Sequence, residues 1–75
     1  MTESAWKKAA VKAALYVGTL EEIRKAQDAA IDLLDAGKKV PGPAAWKLVV
    51  LDRRATLERD VWQAAVRQAE AAEKE

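Results

Sequence analysis

The sequence predicts an all-α protein, arranged as an antiparallel three-helix bundle with a long third helix. Three observations lead there. Seventeen of the 75 residues are Ala, the strongest helix former. Apolar residues recur at helical spacing through most of the chain. The Gly and Pro residues fall in two places, Gly18 and the stretch Gly37–Pro43, and so divide the chain into three segments.

The first segment spans about residues 4–17. Ala9 and Ala13 share one side of it with Trp6 and Val17, and Gly18 suits the position just past a helix end. The second spans about 20–36. Thr19 and Glu22 have the spacing of a capping box, and Glu21 and Glu22 favour the positive end of the helix dipole. A link of only Gly18–Thr19 then implies a sharp corner between the two. The loop KKVPGP follows, stiffened by Pro41, with Pro43 suited to the first turn of the next helix.

The third segment contains WKLVVLDRRATLERDVW, residues 46–62, which opens like a strand because Val49, Val50 and Leu51 favour extended backbone. A lone strand would have no partner within the chain. At 100° per residue, Trp46, Val50, Leu57, Val61 and Ala64 fall on one flank of a helix. Leu48, Leu51, Ala55, Trp62, Val66 and Ala69 fall on a second, and Asp52, Thr56, Arg59, Gln63, Arg67 and Glu70 on the polar side. One helix over about 43–72 follows, with a break near Asp52–Thr56 as the alternative. It would be about 45 Å long, against about 20–25 Å for each of the others. Two apolar flanks require two neighbours, either two helices of the same chain or one supplied by a second copy in a homodimer.

Composition restricts the chemistry. A chain of this length forms one domain, residues 1–75. Cys and His are absent, which removes thiolate sites and the commonest general base and metal ligand. No nucleophile–base pair or cofactor motif occurs, so the expectation is a non-enzyme that needs neither cofactor nor metal. The net charge of +1 argues against a dedicated polyanion binder. No apolar run approaches the ~20 residues of a membrane-spanning helix, and the expected location is the cytoplasm.

Candidate sites are therefore surfaces and buried polar groups. Lys7, Val11, Lys12 and Leu15 form a small apolar patch with a basic rim, opposite Ala9 and Ala13, where a protein partner or a second copy could dock. Gln27 falls among apolar residues of the second segment, and Arg54 and Glu58 lie four apart between the flanks of the third. These three are candidates for fixing register through buried polar contacts. Asp28, Asp32 and Asp35 share a face with Glu21, Arg24 and Lys25 and read as solvated. The function these features suggest is a non-catalytic protein-interaction or scaffold module, a small regulatory or inhibitory protein. The omission of Cys, His, Asn and Phe suits a de novo designed bundle equally well. The alternative is a small nucleic-acid binder, which would require Lys7, Lys8, Lys12, Lys38 and Lys39 to form one patch.

Overall fold

A repeat of alternating four- and three-residue steps organises the fold. On the N-terminal half it links Ala5, Ala9, Lys12, Tyr16, Thr19, Ile23, Ala26, Ala30 and Leu33, each of them buried or half-buried. On the C-terminal half it links Ala44, Leu48, Leu51, Ala55, Glu58, Trp62, Ala65, Ala69 and Ala72, again all buried or half-buried. This is the 3.5-residue repeat of a left-handed coiled coil. A computed structural model describes residues 2–74, Thr2 by its backbone alone. It shows two long helices, α1 (Thr2–Asp35) and α2 (Gly42–Lys74), packed as an antiparallel hairpin measuring 58 × 15 × 13 Å.

The all-α class holds, and the three-helix bundle does not. The expected corner at Gly18–Thr19 is absent, because α1 runs straight through it. A mid-helix Gly costs only about 1 kcal/mol. Turning there would break the seam, which continues unbroken from Ala5 to Leu33. Thr19 is not a cap either. It is 5% exposed, and its hydroxyl oxygen lies 3.2 Å from the Leu15 carbonyl one turn back, with its one hydrogen shared between that carbonyl and Glu58. The long helix expected over 43–72 is present as Gly42–Lys74, continuous through Asp52–Thr56. There the Thr56 hydroxyl donates to the Asp52 carbonyl at 3.1 Å.

The loop follows its residues closely. Gly37 has φ of 73°, a left-handed conformation that a side chain disfavours. Its N–H donates to the Leu34 carbonyl at 3.0 Å, and the Lys38 N–H donates to the Leu33 carbonyl at 2.9 Å. These two bonds make a Schellman cap, which satisfies carbonyls at the end of α1. At the start of α2 the Ala45 N–H donates to the Pro41 carbonyl at 3.0 Å.

Within the seam, two contacts fix the register between the helices. Thr19 hydrogen-bonds Glu58, and the Tyr16 and Trp62 rings stack with centroids 5.9 Å apart and planes 18° from parallel. Stepping from these layers toward the loop by four and three aligns a large residue with an Ala each time. Ile23 meets Ala55, Ala26 meets Leu51, Ala30 meets Leu48, and Leu33 meets Ala44. Toward the other end Ala9 faces Ala69 and Ala5 faces Ala72. Alanine lets the axes approach closely but contributes little buried area. Among the described residues the buried apolar ones are Ala9, Leu51, Ala55, Ala65 and Ala69, four of them Ala.

Candidate functional site

The thin seam leaves most large apolar side chains outside it. Two lateral faces flank the seam, and each is marked by a cross-helix polar contact. On one, the Arg54 guanidinium pairs with the Glu22 carboxylate. On the other, the Trp6 indole N–H donates to Glu73 Oε1 at 2.9 Å. Both contacts join residues just outside the seam and tie α1 to α2.

The Glu22–Arg54 face carries the candidate site. Val11 and Leu15 of α1 are 58% and 53% exposed there, and Leu57 and Val61 of α2 are 53% and 49% exposed. Lys12, Leu15, Leu57, Glu58 and Val61 enclose a shallow open depression of about 220 Å³. A neighbouring depression extends it toward the loop past Gly18, Thr19, Glu22 and Arg54, sharing Leu15 and Glu58 with the first. The result is an apolar strip built by both helices and edged by ionisable side chains. Helical spacing puts Val11 and Leu15 outward, and puts Leu57 and Val61 on a flank that needs a second neighbour, from the same chain or from a second copy. That is the first of the two flanks expected for the third helix, and its Trp46 and Val50 are also exposed. The second flank supplies the seam.

The remaining candidates divide. Lys12 is half-buried at the seam, and Lys7 is exposed and pairs with Glu3 at 3.6 Å. Arg54 and Glu58 do not pair with each other. Arg54 reaches Glu22, and Glu58 accepts the Thr19 hydroxyl inside the seam, so both contacts cross between helices. Gln27 is exposed rather than buried and fixes no register here. Trp6 and Val17, expected inward, face outward on the Trp6–Glu73 side because no third helix covers them. Leu20, Ile31 and Leu34 of α1 are exposed as well. The lysines of the alternative reading are not brought together. Lys38 and Lys39 sit in the loop, about 40–50 Å along α1 from Lys7, Lys8 and Lys12.

Thr19 is a buried cross-helix contact that its capping-box spacing does not reveal. The signal for it was its place in the 4–3 repeat, which predicts a buried hydroxyl opposite Glu58. Among the described residues no group of three acidic or other metal-ligating side chains converges, and no helix is long and apolar enough to cross a membrane. No family model matches the chain, and no match is found among curated proteins or solved structures.

Proposed function

We propose that this chain is a non-catalytic interaction module of scaffold or regulatory kind, working through its Glu22–Arg54 face. One observation supports the reading above others. Val11, Leu15, Leu57 and Val61 form a strip across both helices that is half-exposed in the hairpin, with charged side chains along its edge. Contiguous exposed apolar surface with a polar rim is the usual form of a protein-binding face. The depressions are open and shallow, unlike the enclosed pocket a small molecule needs. The nucleic-acid reading is weaker, since the five lysines it needs are split between opposite ends of the rod.

The test uses Val11→Glu together with Leu15→Lys. Both side chains are half-exposed in the hairpin, so helix content should be retained. Capture of protein partners by the immobilised chain should fall at least tenfold, equivalent to ~1.4 kcal/mol, and should survive high salt in the unmodified chain. A labelled duplex DNA serves as the second probe, and no binding is expected. Duplex binding that weakens log-linearly with salt would signal phosphate contacts and overturn the proposal in favour of a nucleic-acid binder. Unchanged partner capture by the double variant would overturn the choice of face.

A further inference from the structure

We infer that a second copy of this chain covers the Glu22–Arg54 face, packed antiparallel about a twofold axis that crosses α1 at Leu15 and α2 near Val61. The inference rests on the reading of that face as an interaction surface and names its occupant.

Area supplies the first argument. The 8.2 kDa chain exposes 5863 Å², whereas a folded monomer of this mass exposes about 4,500 Å². The excess is roughly 1,300 Å² per chain, more than the ~800 Å² that each partner contributes to a standard interface. A hairpin whose seam is half Ala needs such cover wherever it folds, and another copy is the one partner always present with it.

Charge and shape along α1 supply the second. Lys8, Leu15 and Glu22 lie on one line of the helix at seven-residue intervals, all toward this face. A half-turn at Leu15 therefore sets Lys8 beside Glu22 of the other copy, twice. Leu15 meets its own counterpart. On the adjacent line the same rotation sets Val11 over Gly18. On α2 it sets Leu57 near Ala64 and Val61 against its counterpart. These pairings put opposite charges together and oppose large residues to small ones. They also account for Gly18. Within the hairpin nothing lies within 4 Å of where its Cβ would be, so no contact inside the chain requires a glycine there. A close approach by Val11 of another copy does. The result is a four-helix bundle with its loops at opposite ends and every neighbouring helix antiparallel.

The experiment combines molecular mass with cysteine cross-linking, which is unambiguous because the chain has no Cys of its own. Sedimentation across micromolar concentrations should give twice 8.2 kDa. Under mild oxidation Leu15→Cys and Val61→Cys should each form covalent dimers. Val50→Cys should not, because its two copies would lie about 33 Å apart. Val17→Cys, on the opposite face, should not either. Gly18→Leu has open space in the hairpin and a better helix former, so it should remain fully helical while dimerising at least tenfold more weakly. A monomer at every concentration would overturn the self-association but leave the binding face to be judged by partner capture. A dimer cross-linked through Val17→Cys instead of Leu15→Cys would overturn both this geometry and the assigned face. Gly18→Leu dimerising normally would overturn the axis position.

Discussion

Leu51→Ala is expected to destabilise the protein by about 2–5 kcal/mol, the range for removing a buried Leu side chain without refilling the space. Leu51 is 4% exposed and, among the described residues, is the one large apolar side chain that is buried. Its seam neighbour by register is Ala26, too small to fill the gap. Domains of this length have total stabilities of roughly 4–11 kcal/mol, so the loss would be a large fraction of what holds the hairpin. Urea denaturation followed by helix circular dichroism measures it. Leu34→Ala is the matched control. Leu34 is exposed on the Trp6–Glu73 side, and its truncation should cost well under the Leu51 value. Equal effects at the two positions would mean that the α1–α2 seam is not the core.

The second large effect concerns the polar layer in the middle of the seam. Thr19→Val removes the donor that satisfies Glu58 and should cost about 1–3 kcal/mol, the penalty for leaving a part-buried acceptor without its partner. Adding Glu58→Leu should recover most of that loss, because an apolar layer needs no hydrogen bond. The two substitutions therefore couple, by about 0.5–3 kcal/mol in a double-mutant cycle. The double variant should also lose specificity of register, since a polar layer is satisfied in only one alignment of the helices. Broadened amide resonances at a stability close to that of the unmodified chain are the expected sign. Additive free energies would show that Thr19 and Glu58 act independently.

Local chemistry made part of this fold legible. Gly37, Pro41 and Pro43 carry their own turn and helix-start signals, and the structure uses Gly37 for its left-handed cap. The continuity of α2 was legible because its periodicity outweighed the strand-forming run at Val49–Leu51. The corner at Gly18–Thr19 was misread for the opposite reason. Its signals are short-range, and a seam running 29 residues along α1, from Ala5 to Leu33, outweighs them.

The choice of period explains the rest. An ideal helix drifts about 20° per heptad against a 3.5-residue repeat. Over the four heptads of α2 that drift smears one seam, viewed at 100° per residue, into a broad apolar arc. The arc called for two neighbours of similar standing. Counting in steps of four and three instead separates Leu48, Leu51, Ala55 and Trp62 in the seam from Val50, Leu57 and Val61 outside it. The site was half legible in the same way. Ala9 identified the inner side of α1, which left Val11 and Leu15 outside. The α2 half of the strip stayed hidden until the register set it beside them. Spacing within one helix suggested an Arg54–Glu58 pair, but the true partners, Glu22 and Thr19, come from the other helix.

The continuity of α1 through Gly18 is the claim on which both the seam and the face depend, and one distance tests it. Ser4 and Asp32 are exposed, lie on the same line of α1, and sit fourteen residues before and after Gly18. Spin labels on Ser4→Cys and Asp32→Cys, with labelled chain diluted into unlabelled chain to suppress contacts between copies, report their separation by pulsed electron resonance. A continuous helix puts the two sites about 42 Å apart. A corner at Gly18–Thr19 folds one half of α1 back on the other, and a separation under about 20 Å, near the spacing of packed helices plus label arms, would contradict the hairpin.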